Sequence, residues 1–532
     1  MNILRTVIPD PESLLGRLDP ASGLIGEAGT RTRLSLELAI GLLRNGKPDA
    51  AAQSIDAVLA LQCADPDAYA YGQFPLNLGP WDYQDLNIIL FLLPHLLELE
   101  VAHAATLPSA TRARLATALD RAGDAVLRRW DEEVFDLHRD HVCYTNVALL
   151  QIRSLVLLGR YRQQPRLLRV AAGQWRRWFT HAAYFGIDEF LSPTYAEVDR
   201  EALDDILLHA EDPRMLAEAR VALDHILAEQ AAVLHPLLGL PLCGSSRHHR
   251  GFIQPGPMTG GHAGPPVPAI STAHDFPYRA TGRAGLIPFR WRTWQLATAG
   301  LGSMSGGHVF WQQIHAIAAV GTDAWHRAVA WFPGRCTNTP GWSDQSDGDV
   351  LCLFHRGITS MHGTQWCVPR SQAAEPLGEH GLGIIGSWLE RHEASRLILS
   401  AHDWNLVVDT WADGAPAPLR RQDCTSTGQA GTHGSTTTFA EWTFPNHATW
   451  FAARMRLVSA SAPLPALPAW RWSTDGHGVS LADGDRVVEV KVLPHGEAVS
   501  SEGLRRDEPL LQTPELRVLP GSWLRLWPEK TL

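Results

Sequence analysis

Ser246-Arg247-His248-His249-Arg250 is the densest basic run in the chain. A guanidinium presents a planar fork that meets a carboxylate with two parallel hydrogen bonds. Arg247 beside His248 and His249 therefore suits an acidic ligand. His274 and Arg283, with His262 and Arg279, extend the positive character downstream. Adjacent histidines also bind metals, but no carboxylate-rich third element matches this pair, so neither a metal nor a cofactor is expected. The plainer reading of the run is a solvated loop.

Two further residues have the chemistry to handle a carboxylate and a proton. Asn146 follows Tyr144-Thr145 and opens the apolar run VALLQIRSLVLLG, which places it in the first turn of a helix. A neutral amide there polarises a carboxylate without adding charge, although capping by Thr145 or Asn146 explains the same pattern. Tyr195 ends the segment GIDEFLSPTY, just before another helix. A cleft tyrosine acts as base or acid where cations lower its pKa, and is merely structural where its hydroxyl is tied to backbone.

Aromatic and acidic side chains supply candidate sugar contacts: Trp81, Asp85, Tyr144, Trp175, Trp178 and Glu189. Trp81 and Asp85 are four apart and share a helix face, yet capping by Asp82 and stapling by Trp81 account for them too. Trp175 and Trp178 are three apart, a spacing that core packing produces more often than a sugar platform does. Asp85, Asp188 and Glu189 offer carboxylates for glycoside hydrolysis, but nothing fixes their separation. Other templates fail: there is no P-loop, dinucleotide glycine fingerprint, G-x-S-x-G elbow or H-E-x-x-H.

The elements that must position these groups come in two grammars. Residues from about 30 to 235 carry apolar positions at three- and four-residue spacing, in helices near 84–101, 110–130, 144–159, 165–183, 196–209 and 213–233. Two earlier ones flank Asn45-Gly46. Sequential hairpins of this kind cannot bury their apolar faces alone. An open α-solenoid and an α/α toroid closing around a cleft both satisfy them. From about 285 onward, alternating runs such as Val487 to Val492 and turn pairs such as Asp413-Gly414 and Asp483-Gly484 predict antiparallel sheets. Gly-Leu-Gly-Ser-Met-Ser-Gly-Gly at 300–307 reads as strand and turn. The predicted organisation is α+β multidomain: a helical domain over 1–235, an interdomain loop lining the cleft over 236–285, and an antiparallel β-sandwich over 286–532.

Composition narrows the class. The chain has 532 residues, 45% hydrophobic, with a net charge of −10. That excludes a disordered protein and argues against a nucleic-acid binder, which needs a basic face for phosphates. Four of the 20 tryptophans precede residue 285 and the rest follow it, where sheet packing accounts for most. Seven cysteines without C-x-x-C spacing suggest free thiols. The apolar run from Ile88 to Leu97 is interrupted by Pro94 and His95, so no membrane span is expected. The N-terminus shows no apolar signal core, so a cytoplasmic protein is expected, or a periplasmic one if a leader was removed. A homo-oligomer is compatible with all of this.

The two halves and the His/Arg-rich joint resemble polysaccharide lyases built on an α/α toroid plus antiparallel β-sheets: the heparinase II/III, alginate and hyaluronate/chondroitin lyase families. The carriers are Tyr144-Thr-Asn146, the loop ending in Tyr195 and the Ser246–Arg250 run. The resemblance implies an acidic poly- or oligosaccharide cleaved by β-elimination. Asn146 would neutralise the uronate carboxylate, Tyr195 would be base or acid, and Arg247 with His248 or His249 would complete the site. The sequence departs from the Asn-Asn-His run of alginate lyases at Tyr144-Thr-Asn146. Two alternatives compete: a toroid glycoside hydrolase or sugar epimerase using carboxylates, and a non-enzymatic carbohydrate-binding scaffold.

Overall fold

A computed structural model describes residues 11–25, 31–75, 86–129, 145–187, 191–192, 195–244, 275–285, 289–306, 315–322, 325–332, 341–355, 381–385, 388–427, 436–443, 450–474, 478–492, 498–500 and 508–526. After a short α1 (Pro11–Leu15), eight helices follow in hairpins: α2 (Arg31–Arg44), α3 (Pro48–Leu59), α4 (Ile88–Ala102), α5 (Ser109–Arg129), α6 (Thr145–Tyr161), α7 (Pro165–Phe185), α8 (Tyr195–His209) and α9 (Pro213–Val233). Local chemistry sets their ends. Pro48, Pro165 and Pro213 occupy first turns, where a missing N–H costs nothing. The Asp212 side chain accepts from the Arg214 N–H and caps α9.

The helices form two layers. α2, α4, α6 and α8 pack side by side as an inner layer, and α3, α5, α7 and α9 lie outside it. Burial follows the layering. Every residue of α6 from Thr145 to Gly159 is buried, whereas α7 buries one stripe, including Leu167, Ala171, Trp175, Trp178 and Ala182. Side-chain pairs show that the inner helices run parallel and level. Glu37 meets His95 and Arg44 meets Glu98 between α2 and α4. Arg153 meets the Leu90 carbonyl between α4 and α6, and Tyr161 meets His209 between α6 and α8. This alternation of parallel inner helices with antiparallel outer ones is the hairpin arrangement of an α/α toroid.

Helix α4 departs from the reading of its sequence. The stretch Ile88–Thr106, which is α4 with the short 3-10 turn after it, is by length and composition alone long enough to cross a membrane; most of it is buried inside the protein. Pro94 does not interrupt it. Proline removes the N–H that would serve the Leu90 carbonyl four residues earlier, and the Arg153 guanidinium donates to that carbonyl instead, at 2.7 Å.

The second half is three antiparallel sheets in layers. Sheet I runs Arg420–Thr427, Thr436–Thr443, Gly381–Ile385, Trp325–Phe332, Ala316–Thr322, Ala299–Gly306, Phe289–Leu296, Tyr278–Ala284, Leu511–Gln512 and Arg517–Val518 in spatial order. Sheet II runs Leu389–Glu393, Arg396–Ala401, Trp404–Ala412, Trp450–Ser459, Asp349–His355 and Gly341–Ser346, with Ala415–Pro416 beside the third strand. Sheet III holds Arg471–Thr474, Gly478–Asp483, Arg486–Val492 and Ala498–Ser500. The period of two assigns the faces. Val350, Cys352, Phe451, Ala453 and Met455 of sheet II meet Leu301, Ala318 and Val329 of sheet I. Their neighbours Leu351, Leu353, Trp450 and Ala452 meet Val479, Leu481, Val488 and Val490 of sheet III.

The far face of sheet I joins the helices. Leu191, Ala232, Val233 and Cys243 share a core with Tyr278, Ala280, Trp291 and Met304. The Gly302 side of the glycine-rich strand admits the backbone of Leu242, whose carbonyl would clash with any Cβ there. The C-terminal segment then returns to the helices. The Gly521 N–H donates to the Ala183 carbonyl at 2.7 Å, and Trp523 packs on Phe179 and His225.

Candidate functional site

Because the inner helices are parallel, their N-termini gather at one rim. Each brings the positive end of its dipole to that rim. An anion is favoured there even in a chain of net negative charge. Sheet I borders the same rim: the Gly285 N–H donates to the Phe185 carbonyl at 2.7 Å, at the end of α7. The left-handed Gly186 lets the backbone of Arg283 and Ala284 approach, since a Cβ would meet it at 3.2–3.3 Å.

Asn146 and Tyr195 lie in the first turns of α6 and α8. These helices are neighbours and stay in register along their length, with Arg153 facing Asp205 at 3.5 Å and Tyr161 facing His209 at 3.0 Å. The two residues thus share the rim. Asn146 is buried and Tyr195 half-buried. Ser192 Oγ accepts from the Tyr195 N–H at 3.2 Å and fixes the start of α8.

Arg283 is buried in its strand and donates from Nε to the Glu508 carbonyl at 3.1 Å, a tie between strand and C-terminal segment. Trp175 and Trp178 are each 1% exposed. Their rings meet at a tilt, the Trp175 ring stacks on Phe179, and Trp175 donates to Glu218 at 2.7 Å. This corrects their expected place on a sugar-binding wall: the three-residue spacing here serves the contact between outer helices. Trp81, Asp85, Tyr144, Glu189, Arg247, His248, His249 and His274 lie outside the described residues, as does Asp188.

The structure adds ionisable groups that the sequence does not single out. Between α2 and α4, Arg33 holds Glu37 at 2.8 Å, and His95 approaches the same carboxylate at 3.5 Å. Burial by itself would raise the Glu37 carboxyl, but the pull of His95 and Arg33 outweighs it and holds it at about 2. Beside Tyr195, Glu197 and Arg200 form a buried pair at 2.7 Å. Burial pushes the Glu197 carboxyl up against the pull of Arg200. The only signal for these residues in the sequence is i,i+3 and i,i+4 spacing, which most surface helices also show. Among the described residues no cluster of three or more His, Cys, Asp or Glu is placed to hold a metal ion.

No protein-family model matches the chain, and no curated protein matches it by sequence. Solved structures do. Heparinase III aligns at 9% identity over 88% of this chain and 82% of that one, with a TM-score of 0.45. The chondroitin AC lyase of Streptomyces coelicolor A3, solved with chondroitin sulphate, aligns at 11% identity over 91% and 83%, with a TM-score of 0.45. A heparan sulfate lyase mutant from Pedobacter heparinus aligns at 9% over 88% and 81%, with a TM-score of 0.35. These are polysaccharide lyases, the kind of enzyme the sequence resembles.

Proposed function

We propose that the chain is a carbohydrate lyase that cleaves an acidic poly- or oligosaccharide by β-elimination at the N-terminal rim of the inner helices. The observation that carries this is the shared position of Asn146 and Tyr195 at the starts of two parallel neighbouring helices. The proton α to a uronate carboxylate is a weak acid. It becomes removable when the carboxylate is neutralised, which the Asn146 amide and the helix N-termini do together. Tyr195 then moves the proton, as base or as the acid that protonates the leaving oxygen. The basic residues Arg247, His248 and His249 supply the remaining positive charge in this reading.

A panel of uronate-containing oligosaccharides tests it, read by the ultraviolet absorbance of the conjugated product. Tyr195→Phe is expected to lower turnover at least about 100-fold. Asn146→Ala is expected to lose a comparable factor, with both variants keeping the wild-type circular dichroism. Turnover that yields new reducing ends without absorbance would replace elimination by hydrolysis. Full activity in Tyr195→Phe would remove that residue from the chemistry.

A further inference from the structure

A small cavity lies under the first two turns of α8, walled by Ile187, Leu191 and Ile226 and by three polar residues. Asp199 comes from α8, and Glu229 and Gln230 come from α9. All three are at least 96% buried. Glu229 accepts one hydrogen bond, from His225 Nε2 at 3.1 Å. Gln230 Nε2 is buried and has no partner among the described residues. The space has room for a single water.

We infer that this cavity holds one ordered water that bridges Asp199, Glu229 and Gln230, and that the bridge positions Tyr195. The hydrogen bonding closes. The water accepts from Gln230 Nε2 and donates one hydrogen to each carboxylate, so the buried amide hydrogen gains a partner. Cavities that stay empty are lined by apolar side chains alone, whereas Asp199, Glu229 and Gln230 take part in lining this one. A metal ion fits less well, because the buried Gln230 Nε2 that needs a partner is a donor and not a ligand. The consequence for Tyr195 follows from helix geometry. Asp199 lies one turn after Tyr195 on α8, and Ala196, its next neighbour, also lines the cavity. Leu191 belongs to the segment that delivers the chain to Tyr195. The water thus fastens the turn that carries Tyr195 to α9, and Asp199 and Gln230 are positioning residues. The role given to Tyr195 rests on the lyase reading; the water itself does not.

The test has two arms. In a high-resolution crystal structure of the full-length protein, one water is expected within hydrogen-bond distance of Asp199, Glu229 and Gln230. In Gln230→Met, which keeps the volume and removes the donor, that water is expected to be gone. An empty wild-type cavity, or an ion with metal–oxygen distances, would overturn the inference even if the enzyme proves to be a lyase. On a turned-over uronate substrate, Gln230→Met is expected to lower kcat about tenfold with KM within twofold. Asp199→Asn, which keeps an acceptor, should lower kcat less than Asp199→Leu. Unchanged kcat in Gln230→Met and Asp199→Leu would reject the positioning role. If wild type processes no uronate, the lyase reading fails while the first arm still decides the water.

Discussion

Glu37 is the clearest case of one residue reporting its surroundings. Its carboxyl sits at about 2 in the fold, against an ordinary value of 4.5. A lowered folded-state pKa means that the group's stabilisation is fully present above the ordinary value and is lost as pH falls from about 4.5 towards 2. The linkage is on the order of 3 kcal/mol. Urea melts between pH 6 and 2.5 should therefore show wild-type stability dropping through that window. Glu37→Gln should start lower at pH 6 and fall less steeply. Parallel curves for the two proteins would mean that Arg33 and His95 do not hold the charge. Legibility at this scale is uneven. Asn146 and Tyr195 could be found because each sits at a helix start marked by its own sequence. Glu37, His95, Arg153 and Asp205 could not, because their partnership exists only once four helices lie side by side.

Among the elements, α4 and α6 are coupled by an unusual exchange. Pro94 withholds a backbone donor and Arg153 replaces it. Arg153→Met should cost about 2–4 kcal/mol, since a buried carbonyl loses its partner along with a charge contact. In a Pro94→Ala background, the restored N–H can serve Leu90 directly, so the same substitution should cost at least about 1 kcal/mol less. Denaturant melts of the four proteins in this cycle measure the difference, and strict additivity would refute the exchange. The helix boundaries themselves were largely readable, because Pro48, Pro165 and Pro213 mark starts and Asn45-Gly46 marks a stop. The sheets were readable as strands and turns. Their stacking into three layers was not, since alternation shows that a strand has two faces but not that both are covered. Trp175 and Trp178 show the same limit: spacing placed them on one face, and only packing shows that the face looks inward.

At the scale of the whole molecule, the helical part packs on sheet I, sheet I on sheet II, and sheet II on sheet III. The rim bearing Asn146 and Tyr195 lies where the helical part meets sheet I. The C-terminal segment crosses that boundary, pairing Leu511 with Gly282 of sheet I and seating Trp523 on α7 and α9. Trp523→Ala should cost about 3–5 kcal/mol. If the segment is what joins the layers, calorimetry of this variant should show the helical part melting ahead of the sheets, where wild type gives one transition. A single, uniformly shifted transition would assign Trp523 to ordinary packing.

The same contact orders events during synthesis. The ribosome completes α9 roughly 290 residues before it reaches Trp523, an interval of roughly 15–60 s at 5–20 residues per second. Throughout it, Phe179 and His225 lack the ring that Trp523 sets against them in the fold. The helical half is made early, yet this contact closes only after the strands of all three sheets have been made.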